Sequence, residues 1–194
     1  MKFDNYNIIL ASNSPRRREL LSGLDVDYEV RILDNIDESY PNDIPLEDVA
    51  EYLAIKKANS YTNGLLDNEI LITADTIVLI DNEIYGKPKD KADALRMLNG
   101  MSNKTHRVIT GVCLVSTQKS VSFSNTTSVT FGSLDEGEIN YYIDKYKPYD
   151  KAGSYGVQEW IGYVGVKHIE GSYYNVMGLP IYRVYEELKK FVER

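Results

Sequence analysis

The segment ILITADTIVLI, residues 70–80, is apolar on both faces of an extended chain apart from one acid, Asp75, and two threonines. A strand that is apolar on both faces is covered on both sides, which is the condition of a central strand in an α/β sheet. Working outward, Asp81-Asn82 marks a turn with a second short strand behind it, and Asp90 to Asn99 is a short amphipathic helix closed by Gly100. Upstream, Ile8 to Ala11 is a buried strand, and Ser14-Pro15 places an N-cap before a proline at the first helical position. Leu20, Leu21 and Leu24 give that helix its apolar side. DYEVRIL then alternates as a strand does, an acidic, proline-punctuated loop runs to Pro45, and a helix is expected from Leu46 to about Tyr61.

Downstream, HRVITGVCLV and SVSFSNTTSVTF read as strands. Ser133 with Glu136 has the spacing of a capping box for a helix toward Tyr146. WIGYVGVKHI reads as a further strand, and Ile181, Val184, Tyr185, Leu188, Phe191 and Val192 hold helical spacing over three turns. Helical and strand patterns alternate with no low-complexity linker. The expectation is one α/β domain over residues 1–194, a mixed central sheet flanked by helices.

Composition sets limits on partners. The chain has 194 residues, 43% apolar and 26% charged, with a formal charge of −7. That sign argues against nucleic-acid polymers and anionic membrane surfaces, which require basic patches. The acidity is uneven: nine acidic residues stand against the single base Arg31 in residues 26–55. One cysteine, Cys113, forms no intramolecular disulfide. The N-terminus lacks the basic and apolar regions of a signal peptide, and no run reaches the roughly 18 apolar residues of a membrane span. A reducing cytoplasm is the expected location. With only His106 and His168, a zinc site is not expected, and any metal is a hard divalent cation on carboxylate oxygens.

Three features oppose their own element. Arg16-Arg17-Arg18 lies in the first turn of its helix, where the dipole disfavours cations and free N–H groups point outward; the combination suits a bound phosphate chain, or simply a solvated turn. Asp75 sits among apolar neighbours and requires a cation or metal partner, whether catalytic or structural. Lys57 is in line with Val49 and Leu53 on the apolar stripe of its helix, so its ammonium either snorkels outward or reaches the strand end near Asp75. With Lys87 before Pro88 and the acidic loop carrying Asp37 and Glu38, these residues make a site for a phosphorylated substrate and a divalent metal.

Five motifs, ILASNSPRRRELL, LITADTIV with GKPKD, THRVITGV, DKAGSYGVQ and GSYYNVMGLP, occur in order from Ile8 to the last helix. Together they resemble the Maf family of nucleoside triphosphate pyrophosphatases. The resemblance implies the fold shared with inosine triphosphate pyrophosphatases and cleavage of a nucleoside triphosphate between its α and β phosphates, assisted by Mg²⁺ or Mn²⁺. It implies Asp75 as general base and metal ligand, Glu38 as metal ligand, and Ser12, Arg16, Arg17, Lys57 and Lys87 as substrate-binding residues. Arg16, Thr76 and Gln158 match the positions that distinguish the branch acting on dTTP and UTP, with modified pyrimidine nucleotides as further candidates. The runner-up implied by the same family is a regulatory nucleotide-binding protein that inhibits septum formation.

The remaining residues divide between packing and function. Cys113 is expected as a small buried hydrophobe. His106 either supports the site through a hydrogen bond or is structural. Trp160 either stacks on a base or fills core. The pairs Tyr141-Tyr142 and Tyr173-Tyr174 are expected to line a homodimer contact.

Overall fold

The computed structural model describes residue 3 and residues 5–192. Among these, seven strands form one mixed sheet: β1 (Asn7–Leu10), β2 (Tyr28–Val30), β3 (Glu69–Ile80), β4 (Glu83–Tyr85), β5 (Thr105–Val115), β6 (Ser120–Phe131) and β7 (Val166–Glu170). Their order is β2-β1-β3-β5-β6-β7, with β4 paired to β3. β1 runs parallel to β2 and β3, whereas β4 is antiparallel to β3 and β7 is antiparallel to β6. The helices are α1 (Pro15–Ser22), α2 (Val49–Asn59), α3 (Lys91–Met101), α4 (Glu136–Tyr146), α5 (Trp160–Gly165), α6 (Tyr173–Met177) and α7 (Ile181–Val192). The α/β class, the mixed sheet and the last helix agree with the sequence reading.

Contacts cluster the chain into two compact units. The first takes the described residues up to Asp75, Thr110–Asn125 and the described residues from Gly178 onward; the second takes Thr76–Ile109 and Thr126–Met177. β3, β5 and β6 each begin in one unit and end in the other, and β3 makes the change at the Asp75–Thr76 peptide.

In the first unit, Ile9, Ala54, Ala58, Tyr61, Leu71, Cys113 and Val115 form a dry cluster between α2 and the strands. Small residues let α2 come close. A Cβ at Gly111 would lie 2.3 Å from backbone atoms of Ala50 and Glu51, so only glycine permits this approach of helix to strand. Thr73 Oγ1 fixes the helix in register by donating to the Ala54 carbonyl at 2.7 Å. This packing sets where Lys57, one turn further along α2, can reach.

In the second unit, α3 packs on α4 and on the turn Ala152–Ser154. Gly153 adopts φ 68°, and its N–H donates to the Gly86 carbonyl at 3.0 Å. Any side chain at Gly153 would meet Val78 at 2.7 Å as well as suffer the left-handed backbone.

Several local expectations are corrected. β2 covers three residues of DYEVRIL, and the helix expected from Leu46 divides into a 3-10 turn, Leu46–Asp48, followed by α2. Ser14 does precede α1 with proline at N1, but its side chain makes no cap bond. The capping box of α4 is Asp135 with Glu138: Glu138 N–H donates to Asp135 Oδ1 at 2.8 Å and Asp135 N–H to Glu138 Oε2 at 2.9 Å. The spacing of Ser133 and Glu136 is the same, two residues early, and an aspartate caps as well as a serine. Gly100 lies inside α3 rather than closing it; a Cβ there would meet the Tyr85 hydroxyl at 2.6 Å, so the glycine serves packing. WIGYVGVKHI is not one strand: Trp160–Gly165 is helical and the strand starts at Val166. The reversal is a tight turn in which Gly162 N–H donates to the Glu159 carbonyl at 2.8 Å and the Gly162 position has no room for a side chain beside Val157.

Candidate active site

In the first unit Lys57 meets two of the expected residues, Asp75 and Glu38, and Arg17 joins Ser12 to the residue before Asp75. Lys57 Nζ contacts Asp75 Oδ1 and also Glu38 Oε1 at 2.9 Å. The side chains of Lys57 and Asp75 are 14% and 16% exposed, while that of Glu38 is 54% exposed. The lysine therefore follows the inward of its two alternatives: one shielded ammonium shared by two carboxylates, open to solvent on the Glu38 side. Its neighbour Lys56 binds the preceding acid, with Nζ 2.7 Å from Asp37 Oδ2 and from the Ser39 carbonyl. Two consecutive lysines in the last turns of α2 thus fasten two consecutive acids of the loop, the charge sense the helix dipole favours. The Lys56 ammonium, with the Ser39 N–H and hydroxyl, lowers the Asp37 carboxyl to about 2.

Arg17 is half-buried and directed by backbone. Its Nε donates to the Gly178 carbonyl at 2.8 Å, and Nη1 donates to the Ala74 carbonyl at 2.9 Å and to Ser12 Oγ at 3.5 Å. Burial pushes its pKa below the ordinary guanidinium value, against the raising influence of Asp75 and Glu38, while Arg16 adds to the lowering. Arg17 is consequently a locked charge tying α1 to the residue before Asp75, in addition to being a cation. Ser12 is buried and its hydroxyl also accepts from Ser14 N–H at 3.2 Å. Arg18 lies toward the Ser12 carbonyl at 3.4 Å, so the three consecutive arginines do not act alike: Arg17 and Arg18 brace the turn, and Arg16 is half-buried on the first turn of α1.

The second unit holds the other three expected residues. Thr76 follows Asp75 on β3 and is half-buried; Lys87 is exposed between Gly86 and Pro88. Gln158 is half-buried, and its Oε1 is a buried acceptor with no hydrogen-bond donor among the described residues. His106 is fully buried, with Nε2 2.7 Å from the Tyr155 hydroxyl and its ring edge-on to Phe131. Burial lowers its pKa to about 4. It is therefore a structural histidine beneath the GSYGVQ segment. Burial likewise raises the Cys113 thiol to about 11, as suits an inert buried hydrophobe.

One network was not visible in the sequence. The Tyr142 hydroxyl donates to Glu159 Oε2 and accepts from Gly156 N–H at 2.9 Å, and Lys151 Nζ lies 3.1 Å from Glu159 Oε1. Tyr142 is fully buried, so it lines no homodimer surface; Tyr141, Tyr173 and Tyr174 remain exposed. Trp160 meets Tyr141 edge to face at 4.9 Å and is half-buried, which favours packing over an open stacking platform.

Glu38 and Asp75 are the carboxylates available for a divalent cation. Among the described residues no three His, Cys, Asp or Glu side chains converge as a metal cage. Two carboxylates suit Mg²⁺ or Mn²⁺, which commonly take few protein oxygens and complete their shell with phosphate and water.

The architecture is shared with α/β proteins of known structure. The Staphylococcus aureus Ham1 protein superposes with a TM-score of 0.53 at 16% identity, over 93% of this chain and 99% of that one. A HAM1 protein from Coxiella burnetii gives 0.51 at 12% identity, over 95% and 99%. At these identities the likeness defines the fold. The sequence is more specific: residues 7–191 match the family described as Maf-like protein, and the chain belongs to the Maf family. A protein of Parabacteroides distasonis named dTTP/UTP pyrophosphatase is 56% identical over 186 residues, 96% of each chain. One of Flavobacterium psychrophilum with the same name is 52% identical over 184 residues, 95% of this chain and 94% of its own.

Proposed function

We propose that this protein hydrolyses dTTP and UTP to the nucleoside monophosphate and diphosphate. The observation that carries the reading is the shielded ion cluster of Lys57 with Asp75 and Glu38, next to the backbone-locked guanidinium of Arg17. The names of the relatives support the substrate assignment.

In this reaction a water oxygen bonds to the α phosphorus while the bond from that phosphorus to the α–β bridging oxygen breaks. Asp75 receives the proton of the attacking water, and Lys57 holds the Asp75 carboxylate in one orientation. Arg16 and Arg17 offset the charge that grows on the leaving diphosphate, and Ser12 donates its hydroxyl hydrogen to a phosphate oxygen. Arg17 is oriented in advance by three protein acceptors, so little reorganisation accompanies that charge development. Glu38 and Asp75 would hold Mg²⁺ or Mn²⁺, which supplies further charge neutralisation and lowers the pKa of water.

Gln158 accounts for base selection. Its buried Oε1 needs a donor, and uracil and thymine both carry N3–H, whereas N3 of cytosine is an acceptor. A pocket that presents an acceptor to N3 leaves two acceptors facing each other when cytosine enters. Thr76, in the same unit as Gln158, adds a polar group for a base carbonyl.

The decisive experiment measures diphosphate release from dTTP, UTP, CTP and the purine triphosphates with Mg²⁺ or Mn²⁺, for wild type and Asp75→Asn. The expected result is selective turnover of dTTP and UTP that falls by about 10³-fold or more in Asp75→Asn while the protein remains folded. A folded Asp75→Asn protein with most of its activity would refute the general base. Binding without turnover by wild type would support the regulatory alternative.

A further inference from the structure

The unpartnered acceptor of Gln158 is useful only if the backbone carrying it is immobile, and that backbone has a dedicated clamp. Gly156 N–H donates to the Tyr142 hydroxyl at 2.9 Å, and the Gly156 carbonyl accepts from Glu159 N–H at 2.9 Å. The two residues flanking the Val157-Gln158 pair are therefore bonded to each other through the main chain. The Glu159 side chain closes a second loop by accepting from Tyr142 on Oε2 and facing Lys151 on Oε1, 3.1 Å away. Lys151 also pairs with Asp150 at 2.8 Å. The space is fully used, because a Cβ on Gly156 would stand 2.9 Å from Glu159 Cδ and 3.1 Å from Lys151 Cε. Tyr142 in turn is anchored in the buried face of α4 and stacks on Tyr146 at 5.1 Å.

We propose that Tyr142, Glu159 and Lys151 are positioning residues that fix the Gly156–Glu159 turn so that Gln158 Oε1 meets the N3–H of uracil or thymine, and so set discrimination against cytosine. The inference rests on the pyrimidine-selective reading of Gln158. Burial together with the Glu159 carboxylate strongly raises the pKa of Tyr142, so its hydroxyl keeps its hydrogen and remains a donor throughout the working pH range. Burying a lysine and a glutamate is costly unless each is fully paired. Here they hold a turn rather than a helix or strand, which is where rigidity is otherwise lacking.

The test uses the full-length chain and compares kcat and KM for UTP and CTP in wild type, Gln158→Ala, Tyr142→Phe, Glu159→Gln and the Tyr142→Phe/Gln158→Ala double variant, with melting temperatures alongside. Tyr142→Phe keeps the ring and removes only the hydroxyl, so the fold is retained, and Glu159→Gln keeps an acceptor for Tyr142 while discarding the charge. The expected result for Tyr142→Phe is a loss of roughly tenfold in the UTP-to-CTP ratio of kcat/KM, expressed mainly in KM for UTP. Glu159→Gln is expected to lose less. The double variant should be no less selective than Gln158→Ala, because the clamp acts only through that side chain. A Tyr142→Phe protein with lowered melting temperature and wild-type selectivity, beside an unselective Gln158→Ala, would overturn the positioning role alone. Unchanged selectivity in Gln158→Ala would overturn the Gln158 reading and the positioning role together.

Discussion

Acidification should destabilise the protein through His106 well above the range in which carboxylates titrate. In the folded chain the imidazole is held neutral, its pKa lowered by burial to about 4, while in the unfolded chain it returns to 6.5. Above pH 6.5 both states are neutral and the fold has its full stability. Below 6.5 the unfolded state takes up a proton that the folded state refuses, so stability falls with falling pH until the folded pKa is passed. The penalty is about 2 kcal/mol at pH 5 and approaches about 3 kcal/mol near pH 4, at 1.36 kcal/mol per pKa unit. Two details support a neutral ring. Nδ1 is buried with no hydrogen-bond partner among the described residues, so an added N–H would have nowhere to donate there, and Nε2 already faces the Tyr155 hydroxyl at 2.7 Å. The perturbation is His106→Gln, which keeps a polar group toward Tyr155 and does not titrate. Urea unfolding of both proteins from pH 7.5 to pH 4 isolates the histidine, since the carboxylate contribution is common to the two. The difference in stability between wild type and His106→Gln should narrow by about 2 kcal/mol between pH 7.5 and pH 5. Parallel curves over that range would show that His106 protonates in place and that burial does not hold it neutral.

Two substitutions test the charges of the first unit. Lys57→Gln removes the ammonium shared by Asp75 and Glu38; because Glu38 is half open to water and Arg17 also acts on both acids, the stability loss should be only about 1–2 kcal/mol, while kcat should fall by about 10²-fold or more. Wild-type kcat in a folded Lys57→Gln protein would remove the lysine from the machinery. Arg31→Met strips the bidentate partner, at 2.7 and 3.1 Å, from Glu69, whose side chain is 3% exposed. Unfolding titrations should show a loss of about 2–3 kcal/mol, and Arg31→Met/Glu69→Leu should recover most of it. A double variant no better than the single would mean that Glu69 is satisfied without Arg31.

The residues legible in the sequence were those that contradict their own element. Asp75 interrupts an apolar strand and Lys57 interrupts an apolar helix stripe, and the two contradictions resolve each other in one ion pair. Such a pair can be anticipated because each partner is conspicuous by itself. The arginine run was conspicuous too, but its division of labour was not: whether a guanidinium meets solvent, phosphate or a carbonyl depends on chain segments as distant as Gly178. Tyr142 was misjudged for the related reason that sixteen tyrosines dilute the information in any one, and its partners Gly156 and Glu159 lie fourteen and seventeen positions away. The helix at Trp160–Gly165 was missed because valine, isoleucine and aromatic residues suggest a strand, whereas two close backbone turns around Gly162 decide otherwise.

The acidic balance of the chain and its polyanionic substrate are compatible because the acids nearest the candidate site are paired with bases. Of the nine in residues 26–55, Glu29 pairs with Arg31, Asp37 with Lys56 and Glu38 with Lys57. These pairs offset part of the field that would otherwise repel a triphosphate, and they lie beside the groups whose orientation is fixed. Arg17 is the clearest case. A solvated arginine would give up rotamer freedom on meeting phosphate, on the order of 2 kcal/mol. Arg17 has given up that freedom on folding, through Ala74, Gly178 and Ser12. For the phosphate-binding role proposed for Arg17, that cost falls on folding, and with it the requirement that the chain around Ser12 and Ala74 be rigid. That requirement explains why the candidate site is built on the middle of β3 and on α1 rather than on the acidic loop: the loop can deliver Glu38, but Asp75 is held midway along β3 and Arg17 is bonded from α1 to the Ala74 carbonyl of the same strand.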